Sequence, residues 1–200
     1  MTILYEVHNN LYVNLTNKCP CSCTFCLRQT RDHMENSGTL WLEHEPSTEE
    51  IIAEFESFDM NKYTELVFCG FGEPTERIDV LLEIAKYAKD KFNIKTRINT
   101  NGLGNLVNQK DITASLSGLI DTVSISLNTP NKERYFELTR SIFGIESFDA
   151  MIDFARKATE YVPNVVMTTV ATTITQEEEN ECQKICDEIG AKYRIRPWED

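Results

Sequence analysis

The sequence predicts an α/β fold with parallel strands, a partial (β/α)6 TIM-like barrel forming one core domain over residues 1–200. Three observations lead to it. Six short runs with strand character alternate with segments of helical periodicity, the pattern of parallel strands joined by helical crossovers. Eight such units usually need about 250 residues, so 200 residues suit a six-unit partial barrel better than a closed eightfold one. The chemically unusual residues also gather where predicted strands end, which is where parallel α/β folds place chemistry.

The elements follow in order. Residues 11–16 (LYVNLT) read as the first strand, and the cysteine-rich stretch comes directly after it. Ser47 followed three residues later by Glu50 is a capping box that opens a helix to about residue 58. Residues 65–70 (ELVFCG) form the second strand, and 78–92 a helix with Leu81, Leu82, Ala85 and Ala88 on one face. Residues 95–99 are the third strand, stopped by the turn formers Asn101 and Gly102. A weak helical stretch lies within 106–119, and 122–127 (TVSISL) is the fourth strand. Helices follow at 132–140 and 147–161, a β-branched fifth strand at 164–172, a helix at 176–189 and a sixth strand at 192–196.

Composition narrows the function classes. A net charge of −12 repels phosphate backbones and disfavours a nucleic-acid partner. The first ten residues lack a basic region followed by an apolar one, and no apolar run approaches the roughly 20 residues of a membrane span. The expectation is a cytoplasmic protein with no membrane association. Of seven cysteines, four (Cys19, Cys21, Cys23 and Cys26) fall within eight residues. An odd, crowded set of this kind is not a secreted disulfide framework; in a reducing compartment it reads as metal-ligating or redox-active.

Cys19-x-x-x-Cys23-x-x-Cys26 supplies three thiolates from one short loop. Thiolates suit iron–sulfur clusters. Three ligands on a cubane leave one iron free to chelate the amino and carboxylate groups of S-adenosylmethionine, whose reductive cleavage yields a 5′-deoxyadenosyl radical. The competing reading of the loop is a zinc or copper(I) site with Cys21 as fourth ligand. Gly70-Phe71-Gly72-Glu73-Pro74 ends the second strand, Thr100-Asn101-Gly102 the third, and Ser126 and Asn128 the fourth.

The Cys-x-x-x-Cys-x-aromatic-Cys run, with Phe25 as the aromatic, resembles the hallmark of the radical S-adenosylmethionine superfamily. Gly70, Gly72, Glu73 and Pro74 resemble its Gly-Gly-Glu-Pro motif, with Phe71 interposed. The resemblance implies metal ligands Cys19, Cys23 and Cys26, one 4Fe–4S cluster, and S-adenosylmethionine held at Gly70, Gly72, Glu73 and Pro74. Ser126 and Asn128 match, more loosely, its strand-four ribose-contacting positions, and Arg140 corresponds to the basic residue that often follows them. It also implies hydrogen abstraction from an unidentified substrate, and a one-electron donor such as flavodoxin or ferredoxin. Within the superfamily, Asn14-Leu15-Thr16-Asn17-Lys18-Cys19-Pro20 looks like the small TatD-associated proteins, which implies association with a TatD-family hydrolase. An alternative within the enzyme class is a resemblance to small members such as deazaguanine synthases or glycyl-radical-activating enzymes. From another class, a non-catalytic iron–sulfur or zinc sensor module fits the cysteine loop alone.

Other residues have blander readings. Cys21 is a bystander on the loop, and Cys69 a buried structural thiol. Cys182 and Cys186 fall on one apolar helical stripe with Ile185 and Ile189, and pack. His33, Trp41 and His44 lie in the long connection 27–46, either a binding loop or a surface hairpin in which Trp41 and Leu42 cap the core. Arg194 and Arg196 share one face of the sixth strand. Facing inward they would hold an anionic substrate group; facing outward they would pair with the acidic surface.

Overall fold

The computed structural model describes residues 1–198. Its sheet has seven strands in sequential order: β1 (Leu4–Val7), β2 (Asn10–Val13), β3 (Glu65–Phe68), β4 (Lys95–Thr100), β5 (Thr122–Ser126), β6 (Asn164–Val170) and β7 (Lys192–Arg196). β2 to β7 are the six parallel strands expected, and β1 adds an antiparallel edge. That first strand was not foreseen. Leu4-Tyr5-Glu6-Val7 is too short to show an alternation of its own, and only its pairing with β2 across the His8–Asn9 turn defines it.

The helices are α1 (Thr48–Glu54), α2 (Ile78–Phe92), α3 (Gly104–Val107), α4 (Lys132–Thr139), α5 (Ser147–Ala158) and α6 (Gln176–Ile189). The Ser47–Glu50 capping box opens α1, and α2 and α6 have the expected bounds. The stretch 106–119 is not one helix; α3 and a 3-10 turn at Thr113–Leu116 divide it. Between them Asp111 caps the Thr113 N–H at 2.9 Å, an alternative to continued helix that Asp offers the backbone.

Sequential parallel order places every crossover helix on one side. One apolar core accordingly joins Leu11, Leu66, Phe68, Ile98, Val123, Ile125 and Met167 of the strands to Ile51, Ile84, Met151, Phe154, Cys182 and Cys186 of the helices. The other face of the sheet is concave. Arg194 on β7 lies within electrostatic reach of Arg97 on β4, Glu65 on β3 and Tyr12 on β2. In a flat sheet β2 and β7 would stand about 24 Å apart. Strong curvature brings them together, and the sheet is a partial barrel, open between β1 and β7.

The connection 27–46 covers part of this concave face. Leu40, with Met34 beside it, packs with Phe71 on the inward side of Tyr5, Val7 and Tyr12. Asn17 pins it by exchanging two hydrogen bonds with the backbone of Leu42, at 2.8 and 3.0 Å. Among the described residues no helix is long and apolar enough to cross a membrane.

Candidate cofactor site

The cysteine loop leaves the carboxyl end of β2 and is fastened along its length. Ser22 and Thr24 donate backbone N–H bonds to the carbonyls of Thr139 and Leu138 at the end of α4, both 2.9 Å, and Ile142 N–H donates to Pro20 O at 2.9 Å. The first two satisfy carbonyls that the terminus of α4 leaves open. Farther along, Gln29 Nε2 donates to Cys23 O at 2.6 Å and Arg28 to Cys21 O at 3.2 Å.

The thiols gather within this frame. Cys21, the expected bystander among the ligands, is buried, and its thiol lies within hydrogen-bonding reach of Cys19 and Cys23. That interaction draws the Cys19 and Cys23 thiols below the ordinary range, against the opposing effect of burial. The Cys26 thiol is pushed up, first by burial. Asn101 Nδ2 stands 3.8 Å from both Cys19 Sγ and Cys21 Sγ. Among the described residues no three His, Cys, Asp or Glu side chains are set as a metal site, so the loop gathers its thiols without placing them at ligand spacing. Phe25 is exposed at the rim.

The Gly70–Pro74 turn is built against the start of this loop. A Cβ on Gly72 would lie 2.2 Å from Thr16 O and 2.5 Å from Lys18 O, so only glycine permits the approach that lets Glu73 N–H donate to Lys18 O at 2.8 Å. Gly70 is required as well, since its Cβ would meet Asn14 Oδ1 at 2.1 Å. The interposed Phe71 stacks edge-on against Trp41, centroids 5.1 Å apart, and anchors the covering connection. Pro74 opens a 3-10 turn through Arg77.

Glu73 is fully committed within the protein. Its Oε1 accepts from Thr75 N–H (3.1 Å), Thr75 Oγ1 (2.7 Å) and Thr100 Oγ1 (2.7 Å), and its Oε2 from Asn101 N–H (2.8 Å). Burial raises its pKa, opposed by these four donors. The carboxylate thus ties the end of β3 to the end of β4, and Asn101 carries that tie on to the thiols.

The remaining predicted positions differ in placement. Ser126 ends β5, half-buried. Asn128 is buried with φ +64°, and Leu127 and Asn128 both donate to Thr168 O, at 2.9 and 3.1 Å. Asn tolerates that left-handed backbone, which accounts for its presence. Arg140 is exposed and closes α4 with φ +47°, beside the attachment of the cysteine loop. His33 and His44 sit at the surface against Asp32 (2.6 Å) and Glu50 (2.9 Å). Cys69 is not in the helix-side core: it is half-buried on the inner face, hydrogen-bonded to Asn99.

Asn101, in a stretch that the sequence leaves open between a ligand contact and an ordinary turn, comes to lie beside the thiols. One residue escaped the sequence reading. Tyr135 on α4 is fully buried, its hydroxyl has no hydrogen-bond partner, and it lies within electrostatic reach of Cys21, Cys23, Glu73 and Cys19. No helical pattern marks such a hydroxyl. A buried polar group without a partner calls for an explanation; here it borders a set of soft donors that fits an iron–sulfur cluster.

A surface depression of about 590 Å³ lined by Met60, Tyr63, Glu65, Ile94 and Lys95 lies at the opposite, amino-terminal end of β3 and β4. It carries none of the groups just described.

Among curated proteins none matches the chain. Solved structures match over nearly its whole length. Streptococcus suis SuiB bound to precursor peptide SuiA has a TM-score of 0.67 at 20% identity, covering 96% of this chain and 39% of that one. A radical SAM methyltransferase from Sphaerobacter thermophilus gives 0.66 at 13%, covering 98% and 69%. The FeFe-hydrogenase maturase HydG from Carboxydothermus hydrogenoformans gives 0.66 at 18%, covering 96% and 44%. The chain spans about two fifths of the length of SuiB. At these identities the likeness is one of fold. The Radical SAM superfamily itself matches residues 13–189, from the end of β2 to the end of α6. With its cysteine loop, its Gly-Glu-Pro turn and its open parallel barrel inside those bounds, this chain belongs to the radical SAM superfamily, whose members use a 4Fe–4S cluster and S-adenosylmethionine.

Proposed function

We propose that the chain is a radical SAM enzyme in which Cys19, Cys23 and Cys26 hold one 4Fe–4S cluster beside a bound S-adenosylmethionine. When bound, this pair of cofactors supplies a 5′-deoxyadenosyl radical that abstracts hydrogen from a substrate. The observation that supports the reading is the fusion of two motifs into one unit. Glu73 N–H reaches Lys18 O at the head of the cysteine loop, while the Glu73 side chain orients Asn101 toward Cys19 and Cys21.

In this proposal Glu73 acts as an anchor. Both its oxygens already accept protein donors, so the methionine amino group is left to the carbonyls of the Gly70–Pro74 backbone. In this reading Ser126 and Asn128 serve the ribose, and Arg140 is the basic group beyond them. The covering connection, held by Trp41 on Phe71, excludes water from one side of the concave face. The odd, crowded set of seven cysteines supports a reducing, cytoplasmic setting. The reductant in this reading is a flavodoxin or ferredoxin, and the TatD-family hydrolase is a functional associate.

The position of Cys21 between Cys19 and Cys23 favours one second reading, a four-thiolate zinc module without catalysis. Anaerobic reconstitution separates the two. Bound iron and sulfide, with 5′-deoxyadenosine formed on reduction with S-adenosylmethionine, are expected. Zinc in place of iron, or a loaded cluster that never cleaves S-adenosylmethionine, overturns the enzyme reading.

A further inference from the structure

The inner face of the sheet is divided. Its β1–β2 side is apolar and covered by Leu40, Met34 and Phe71. The rest is largely polar, with Arg97, Asn99 and Ser126 half-buried, Ser124 and Thr168 buried, and Arg194 and Arg196 exposed at its β7 edge. Strand alternation sets its composition: Ile98, Val123, Ile125 and Met167 turn to the helices, which leaves Arg97, Asn99, Ser124, Ser126 and Thr168 facing inward.

The same alternation decides the direction of Arg194 and Arg196. Directly before them on β7, Tyr193 packs against the helix-side core and bonds Thr169 through its hydroxyl at 2.6 Å. The two arginines therefore face the concave side, Arg194 level with Thr168 and Arg196 with Val170. Arg97 reaches the same space from β4, with its charge partly met by Glu65 at 2.8 Å. Arg194 and Arg196 make no ion pair among the described residues.

Gathering three like charges is costly. It is more so on a chain with 32 acidic and 20 basic residues, where carboxylate partners abound on the outer surface. The group is also tied to the cofactor site, because Cys69 at the root of the Gly70–Pro74 turn lies within electrostatic reach of Arg97, Arg196 and Glu73. Guanidinium groups match oxyanions by paired N–H bonds and lose little hydration in doing so.

We infer that Arg194 and Arg196, backed by Arg97, form a binding site for an oxyanion group of the substrate, a carboxylate or a phosphoryl, on the open inner face beside the cofactor turn. This deepens the proposed function, on which it rests for the identity of that face as the substrate side. The bound anion neutralises the arginines and holds the rest of the substrate toward the carboxyl ends of β3 and β4.

Thermal melts of the full chain test this, with malonate and inorganic phosphate as probes and sodium chloride at equal ionic strength as reference. In the wild type, malonate or phosphate raises the melting temperature above the chloride value; an excess with malonate alone assigns a carboxylate, with phosphate alone a phosphoryl, and with both the oxyanion chemistry they share. The excess is lost in the double variant Arg194→Gln, Arg196→Gln and kept in Arg134→Gln, whose arginine is exposed on α4 and pairs, among the described residues, with Glu137. Arg194→Gln alone, run in parallel, weakens the excess and keeps the test alive if the double variant fails to fold. No excess in the wild type, or an excess unchanged in the arginine variants, overturns the inference. Iron content measured on the same samples separates that outcome from failure of the cluster assignment.

Discussion

The chain repeats one cysteine spacing in two places with opposite surroundings. Cys19-x-x-x-Cys23 lies on a loop at a strand's carboxyl end, and Cys182-x-x-x-Cys186 on α6. On the loop, thiols bond one another, stand near the Asn101 amide and the unpartnered Tyr135 hydroxyl, and Cys19 and Cys23 are drawn toward thiolate. On the helix, four residues make about one turn, so both thiols enter the apolar core beside Ile189, fully buried. Burial, the largest cause, pushes each of these two up to about 12. Spacing alone therefore does not make a site. A ligand loop needs polar support and freedom to close on a metal, whereas a helix stripe commits its sulfurs to packing.

The sharpest way to break this comparison is metal content. Wild-type protein reconstituted anaerobically is expected to hold about four irons per chain. Cys23→Ala should hold almost none, and Cys182→Ala the full complement. Iron lost from Cys182→Ala would make the helix pair part of a site.

Alkylation gives the next largest contrast. Against an ordinary thiol, a pKa of about 12 lowers the thiolate fraction near neutral pH about a thousandfold. With the cluster absent, iodoacetamide should modify Cys19 and Cys23 while Cys182 and Cys186 stay intact until the chain unfolds. Mass mapping at several times checks this; equal labelling of both pairs would erase the difference between them.

Glu73→Ala sharpens the loop side. No proposed ligand is touched, so iron is expected to stay. The Thr75 and Asn101 N–H groups lose their acceptor, and the turn loosens. Charge-assisted bonds of about 1.5–3 kcal/mol hold the turn in place, and re-forming it on binding without them should lower S-adenosylmethionine affinity by up to roughly ten- to a hundredfold. Isothermal titration on the reconstituted protein measures it. Unchanged affinity would reduce Gly70–Pro74 to a structural turn.

The smallest effect compares two tyrosine hydroxyls. Tyr193, at the α6 side, bonds Thr169, so Tyr193→Phe should cost about 0.5–1.5 kcal/mol. Tyr135 has no partner, so Tyr135→Phe in the cluster-free chain should be neutral or stabilising, by up to about 1–3 kcal/mol for relief of an unsatisfied group. Urea midpoints read both, and a loss at Tyr135 as large as at Tyr193 would mean the two environments are equivalent.

Long periodic segments were the most legible. α2 and α6 carry apolar positions over three turns or more, and the Ser47–Glu50 pair announced its helix. β1 was hidden because its four residues gain meaning only from their partner strand. The packing of Cys182 and Cys186 was readable from their stripe. The inner-face position of Cys69 was not, since an apolar strand run looks alike on both faces.

By itself the sequence determined the parallel order of strands, the cysteine loop, the Gly-Glu-Pro turn and the shared face of Arg194 and Arg196. These are local or periodic properties, set by spacing along the chain. Only the tertiary structure decided that those arginines face inward, that Glu73 is committed to Thr75, Thr100 and Asn101, and that Cys21 lies buried between two candidate ligands. Each depends on groups brought together from distant positions by sheet curvature and backbone approach, for which spacing along the chain carries no signal.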